Sequence, residues 1–224
     1  MDSNRKQLYI PGANAEIIYR LMGLGMSGAV LHIGAHPDDE DIGLISYLYR
    51  KYGVRAVYWS ANRGEGGQNR IGPYGDEALG VYRSWESLEA RSIDGGECLF
   101  GPFYDFGYSK NGEESLAKWG REELVREIVR AVRLVQPNVL VARWTGKPTD
   151  FHGQHQAVGA ATLEAFEAAG DPDRFPELKK QGLAAWQPIK LYHSTDNSGG
   201  DLSAGGTVNL FGGINPEFEK EGFV

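Results

Sequence analysis

Short continuous apolar runs alternate with stretches of helical period along this chain, and that alternation sets its first reading. Residues 29–34 (AVLHIG), 54–59 (VRAVYW), 97–103 (ECLFGPF), 138–143 (NVLVAR) and 188–193 (PIKLYH) read as strands. Between them, residues 39–52 carry Ile42, Leu44, Ile45, Leu48 and Tyr49 at helical spacing and stop at Gly53. Residues 76–93 form a second expected helix, with Leu79, Tyr82, Trp85, Leu88 and Ala90 available for packing. Residues 116–135, rich in Glu and Arg, predict one solvent-facing helix that stops before Pro137, and residues 154–169 predict another. A leading helix, packed on the sheet, is expected within residues 12–26. Strand, helix, strand in this order requires right-handed crossovers, so the fold class is α/β with parallel pairing.

The segments between these elements read as loops. Residues 60–75 hold Gly64, Gly66, Gly67, Gly72, Pro73 and Gly75 among charged and amide side chains. Beside the strand ends, such a loop suits substrate contact or a lid; a phosphate cradle and a plain solvated loop are the alternatives. The GEGG order lacks the Gly-Lys-Ser/Thr ending of a P-loop. Residues 171–181 read as a polar connection, residues 198–206 as a flexible tail, and residues 207–211 as one edge strand.

Composition narrows the classes. With 224 residues, 41% hydrophobic and 11% aromatic, the chain suffices for one domain with a sizeable core, expected over 1–224 with its core at about 28–195. A net charge of −7 without clustered Lys and Arg argues against a nucleic-acid or anionic-membrane binder. The single cysteine, Cys98, rules out an internal disulfide and reads as a buried strand position; a catalytic thiol is the alternative, without an evident base. No apolar run is long enough to span a bilayer, and residues 1–7 are polar with no apolar segment behind them. The expectation is a soluble protein, cytoplasmic by default and exported if Met1 is a trimmed or processed start. A homo-oligomer is left open.

The chemistry concentrates in two places. Residues 35–40, AHPDDE, follow the first strand, and Pro37 turns the chain so that His36, Asp38 and Asp39 share one mouth. An imidazole and a carboxylate suit a divalent ion, and a second carboxylate off the metal can take a proton from water. The alternative is a helix N-terminus that attracts Asp38, Asp39, Glu40 and Asp41, which leaves His36 unexplained. Residues 150–155, DFHGQH, follow a later strand and place His152 and His155 three apart, so that one can bind metal while the other faces substrate. Asp150 is a candidate partner for the outer nitrogen of a ligating imidazole. His32 and His193 read as structural.

HPDDE after a strand, with HGQHQA more than a hundred residues later, resembles the PIG-L/LmbE-like family of zinc-dependent de-N-acetylases. RGEGGQN at 63–69 and RSWESLEA at 83–90 resemble that family's GE-containing loop and R-x-x-E helix. The resemblance implies a Rossmann-like, mostly parallel sheet with helices on both faces. It implies a small N-acetylated sugar of the N-acetylglucosamine type as substrate, and Zn2+ held by His36, Asp39 and His155. Fe2+, Co2+ or Mn2+ would also suit that donor set. By the same resemblance Asp38 is the base and His152 a second catalytic residue. Arg63, Glu65, Asn69, Arg83 and Asp150 are candidate substrate contacts. Gln154 stands where many members carry an acid. A non-catalytic carbohydrate-binding module and a metal hydrolase of another ester class, phosphoesters for instance, are the rival readings.

Overall fold

The computed structural model describes residues 23–67, 69, 72, 73 and 75–194, with Ile17, Leu21 and the strand backbones at 208–209 and 213–214. Strand β1 (Ala29–Gly34) leads into helix α1 (Ile42–Tyr52), then β2 (Arg55–Ser60), α2 (Asp76–Asp94) and β3 (Glu97–Phe100). Helices α3 (Gly112–Trp119) and α4 (Arg121–Val135) precede β4 (Val139–Ala142). A short 3-10 turn (Pro148–Asp150), α5 (Gly153–Ala169), α6 (Pro176–Lys180) and β5 (Lys190–His193) follow.

The five strands form one all-parallel sheet in the order β3-β2-β1-β4-β5. The chain runs outward from β1 to β3, then returns to the other side of β1 and runs outward again. Its reversal point is therefore the crevice between the carboxyl ends of β1 and β4, where open α/β sheets bind ligands. Alternate residues of β1 face opposite layers. Leu31 and Ile33 pack with Leu124, Ile128 and Val132 of α4 and with Ala157 and Ala161 of α5. Val30 packs with Tyr58, Val141, and Ile45 and Leu48 of α1. Both faces of the sheet are covered, which is why its strands read as continuous apolar runs.

Helix α5 approaches its neighbours closely because most of its buried positions are small: Gly153, Ala157, Gly159, Ala161, Ala165, Ala168 and Ala169. A Cβ on Gly153 would lie 2.1 Å from the Asn111 carbonyl oxygen, so only glycine lets α5 start where it does.

Three expectations are corrected. Residues 116–135 are not one helix: Gly120, at φ 81° and ψ 118°, separates α3 from α4, a conformation open to glycine at little cost. Nor is α4 solvent-facing. Leu124, Val125, Ile128, Val129 and Val132 make a fully buried stripe that the Glu and Arg residues between them disguised. The connection at 171–181 contains α6, anchored by buried Phe175 and Leu178. In the leading segment Ile17, Leu21 and Leu24 are exposed; the rest of 12–22 lies outside the described residues. Val208–Asn209 pairs antiparallel with Gly213–Ile214, apart from the main sheet, and the remainder of the expected tail strand lies outside the described residues. No described helix is long and apolar enough to cross a membrane.

Candidate metal centre

His36 lies two residues beyond Gly34, the last residue of β1, and its position is set by the main chain. The Tyr58 hydroxyl donates to the His36 carbonyl oxygen. That contact needs Gly34, since a Cβ there would lie 2.1 Å from the Tyr58 hydroxyl oxygen. Asp39 closes the turn: one carboxylate oxygen, Oδ2, accepts from the main-chain N–H groups of Ala35 and His36, both at 2.9 Å. Pro37 is buried between them and Asp38 is exposed. The Asp38 carboxylate makes no hydrogen bond among the described residues, whereas Glu40 turns away to the buried Arg91–Asp94 pair at 3.4 Å.

The second half comes from the start of α5. Phe151, at φ 60° and ψ −44°, forms a tight turn in which the His152 N–H donates to the Asp150 carbonyl at 2.6 Å. Positive φ on a non-glycine residue costs on the order of 1–3 kcal/mol and is kept here beside two histidines. The same Asp150 carbonyl faces His155 Nδ1 at 3.3 Å. It is thus the main-chain oxygen of Asp150 that meets the imidazole. The carboxylate instead accepts from Thr145 Oγ1 at 2.9 Å and from the Gly146 N–H at 2.8 Å, folding the loop after β4.

His36, Asp39 and His155 meet: one donor atom from each lies within 4.8 Å of the others. His36 Nδ1 and His155 Nε2 stand 3.1 Å apart. Asp39 lies 3.5 Å from the first through Oδ2 and 3.4 Å from the second through Oδ1. The outer partners fix which nitrogens face inward. Gln154 donates from Nε2 to Asp105 Oδ1 and the Gly107 carbonyl, so its Oε1 is the atom that meets His36 Nε2 at 2.8 Å and accepts from Asn62 Nδ2 at 3.0 Å. An amide oxygen only accepts, so His36 Nε2 carries hydrogen and Nδ1 presents a lone pair. A carbonyl likewise only accepts, so His155 carries hydrogen on Nδ1 and presents Nε2. Two lone pairs and a carboxylate converge with no donor between them, an arrangement that a cation satisfies. Two nitrogens each about 2.1 Å from a shared tetrahedral ion stand roughly 3.4 Å apart, close to the separation seen here.

Without an ion, a proton takes that place. Burial lowers the His36 pKa, but the Asp39 carboxylate beside it outweighs burial and raises it to about 9. For Asp39, burial pushes upward and is outweighed by His36 and His155, which hold the acid well below its usual range. A raised histidine contributes stability that is complete below its unfolded value of 6.5 and is lost as pH climbs through about 9. Thermal unfolding in chelator is therefore expected to show stability falling between pH 6.5 and 9, with an added divalent ion restoring it at pH 9. A chelated protein equally stable at both ends would contradict the His36–Asp39 pair.

His152 lies beside this group, its ring 5.1 Å from that of His36 and 4.9 Å from that of His155. Burial, followed by the two neighbouring imidazoles, lowers its pKa to about 4. It is neutral, and its Nδ1 accepts from the Gln154 N–H at 3.1 Å, leaving Nε2–H as a donor. Exposed Tyr108 packs edge-on against it at 5.2 Å.

The remaining expected residues knit the Gly-rich loop together. Glu65 is buried and accepts from the N–H groups of Arg63 and Asp105. Arg63 reaches Ser84 at 2.8 Å and covers the Phe100 ring. Asn69 accepts from the Gly72 N–H, and the Arg83 guanidinium lies against Gly64 and Gly67. His32 is buried in β1 and His193 is exposed at the end of β5. Burial pushes the Cys98 thiol up to about 12, which removes the thiolate that nucleophilic chemistry needs. Sequence reasoning missed Asn62, Asp105 and Trp144. All three act through tertiary contacts that no local motif marks.

The sheet order and the His-Asp-His group define a Rossmann-like α/β protein with a candidate mononuclear metal centre at its reversal point. Residues 31–166 match the profile of the family described as PIG-L: GlcNAc-PI de-N-acetylase, and the chain belongs to that family. A 1D-myo-inositol 2-acetamido-2-deoxy-alpha-D-glucopyranoside deacetylase of Kineococcus radiotolerans is 30% identical over 187 residues, 73% of this chain and 50% of the relative. A mycothiol S-conjugate amidase of Streptomyces coelicolor is 29% identical over 182 residues, 74% of this chain and 60% of the relative. The chain thus spans 50% to 60% of the length of these two relatives. Among solved structures, the N,N'-diacetylchitobiose deacetylase of Pyrococcus horikoshii superposes with a TM-score of 0.59 at 18% identity, covering 84% of this chain and 67% of that one. The 4-carboxy-2-hydroxymuconate hydratase GalB of Pseudomonas putida gives 0.55 at 18% identity, with 73% and 64% covered. At these identities the likeness concerns the fold, which hosts more than one reaction.

Proposed function

We propose that this chain is a metal-dependent de-N-acetylase acting on an N-acetylglucosamine-type conjugate. The observation that carries the reading is the convergence of His36, Asp39 and His155 from chain segments over a hundred residues apart, next in sequence to Asp38, whose carboxylate makes no hydrogen bond among the described residues. Those three residues would hold the ion, Zn2+ in this proposal, although Fe2+, Co2+ and Mn2+ suit the same donors. When bound, such an ion polarises a carbonyl and lowers the pKa of water to about 7.

The chain's own residues do the rest. Asp38 takes one proton from the attacking water as its oxygen bonds to the acyl carbon. His152, held neutral with Nε2–H outward, hydrogen-bonds to the acyl oxygen as that atom gains negative charge. The proton taken up by Asp38 passes to the departing amine nitrogen as the C–N bond breaks, and the acetic acid so formed loses its own proton to solvent, giving acetate and a free amine. The Gly-rich loop, braced by Arg63, Glu65, Asn69 and Arg83, and the loop folded by Asp150 form the walls proposed to meet the sugar. We assign the activity to one domain over 1–224. We place it in the cytoplasm, where a chain with one cysteine and no disulfide needs no oxidising compartment.

Asp38→Ala is expected to retain its metal while acetate release from N-acetylglucosaminyl substrates falls roughly 10²-fold or more, the usual worth of a positioned base. Unchanged turnover would remove Asp38 from the mechanism. Phosphate release without acetate from a mixed substrate panel would favour a phosphoester hydrolase, and metal binding with neither product would favour a binding module.

A further inference from the structure

The residue immediately after β4 and Arg143 touches two members of the candidate metal centre at once. The Trp144 ring lies face to face on the His155 imidazole, 3.7 Å between centroids and 7° between planes. Its indole Nε1–H donates to Asp39 Oδ2 at 2.9 Å. We propose that Trp144 is a positioning residue of the metal centre, fixing Asp39 and His155 relative to each other; this inference rests on the metal-centre reading above.

The carboxylate shows what the indole adds. Oδ2 of Asp39 receives three N–H donors, from Ala35, His36 and Trp144, each at 2.9 Å. The first two belong to the turn that carries Asp39 itself and would let the carboxylate swing as a unit with that turn. The third comes from the loop after β4, 105 positions along the chain, and ties the carboxylate to the α5 side of the crevice. With Oδ2 saturated by donors, Oδ1 is the oxygen left to face His155 Nε2, at 3.4 Å. An oxygen held by several N–H groups is the poorer electron donor of the pair, so Asp39 is set up to offer one oxygen rather than two.

The stacked imidazole is held from both sides of its plane's freedom. His155 Nδ1 is tethered to the Asp150 carbonyl, which fixes the direction of the ring but not its rotation about that contact. The indole face removes the rotation. Trp144 can act as a fixed surface because its own backbone is pressed onto α5. A Cβ on Gly159 would lie 2.7 Å from the Trp144 carbonyl oxygen and 2.2 Å from the Gly146 nitrogen, a close approach that only glycine permits. The Arg143 guanidinium covers the ring as well, 5.3 Å from its centroid. One side chain thereby couples the ligand from the first half of the site to a ligand from the second.

The test separates the two functions of the indole and separates this inference from the reading it rests on. Apo protein, with Zn2+ alone as the probe, is titrated against a competing chelator for wild type, Trp144→Phe and Trp144→Leu, and each apo form is unfolded thermally in chelator. Trp144→Phe keeps a ring face against His155 and loses the N–H; Trp144→Leu loses both. The expected result is a Zn2+ affinity about 10-fold weaker for the Phe variant and up to about 100-fold weaker for the Leu variant, the range for removing a group that orients ligands. Apo unfolding midpoints close to that of wild type would accompany it. Wild type that binds Zn2+ with both variants matching it would overturn the positioning role and leave the metal centre standing. Wild type without affinity for Zn2+ would overturn both. Variants weakened only in proportion to a loss of apo stability would assign Trp144 to folding and overturn the proposal equally.

Discussion

Replacing Gln154 by Leu is expected to cost about 3–5 kcal/mol of folding stability and to weaken metal binding roughly 10- to 100-fold. Gln154 is fully buried, and its amide serves four partners: His36 Nε2, Asn62 Nδ2, Asp105 Oδ1 and the Gly107 carbonyl. Leucine approximates the volume, so the cavity contribution is small. What remains is a set of buried donors and acceptors without partners, each stranded group costing roughly 1–3 kcal/mol. The metal effect has a separate origin: without the Oε1 acceptor, nothing dictates that His36 carry its hydrogen on Nε2 and present Nδ1. Gln154→Glu distinguishes the two. It preserves an acceptor for His36 but sets a second acceptor against Asp105 and Gly107, so the fold should weaken while metal binding survives. Urea unfolding and metal analysis on the two variants check both halves; a Leu variant within about 1 kcal/mol of wild type would contradict the role of this network.

Arg133→Leu is expected to be as damaging to stability, about 3–5 kcal/mol, while leaving the donor atoms of the site in place. The Arg133 guanidinium is buried in α4 and donates to the carbonyls of Ala168, Ala169, Asp171, Arg174 and Phe175 at 2.7–3.4 Å. These are the terminal carbonyls of α5 and the turn into α6, groups a helix end leaves without intrahelical partners, at its negative pole. Since α5 carries His155 at its other end, Arg133 anchors the helix that supplies half of the site. Arg133→Lys, with three donors and no planar fork, should fall between the two. Equal stability of the Leu variant in denaturant titration would show that water replaces the guanidinium.

Much of this arrangement was legible in the chain itself, for reasons specific to each element. β1 was readable to the residue because a strand buried on both faces is a continuous apolar run, and α2, expected over 76–93 and found over Asp76–Asp94, was readable to within one residue from its apolar spacing. The two histidine segments were readable as a pair because each follows a strand on either side of the reversal point. What could not be read was anything carried by the main chain or by long-range amides. The Asp150 carbonyl takes the place expected of its carboxylate, a choice fixed by the positive φ of Phe151 and invisible in the residue names. Glu65 and Arg83 stand in a motif, yet here Glu65 accepts from the main-chain N–H groups of Arg63 and Asp105, and Arg83 lies against Gly64 and Gly67. The break at Gly120 was hidden because α3 and α4 are both strongly helical sequences, and one glycine inside such a run is compatible with continuity as well as with a stop.

Metal-dependent deacetylation is tested by acetate release from N-acetylglucosaminyl conjugates by chelator-treated protein as Zn2+ is returned in steps. Release should be absent without the ion, rise to saturation at one ion per chain, and yield one free amine for each acetate. Acetate release indifferent to the chelator, or a saturated site that yields no acetate from any such conjugate, would contradict it.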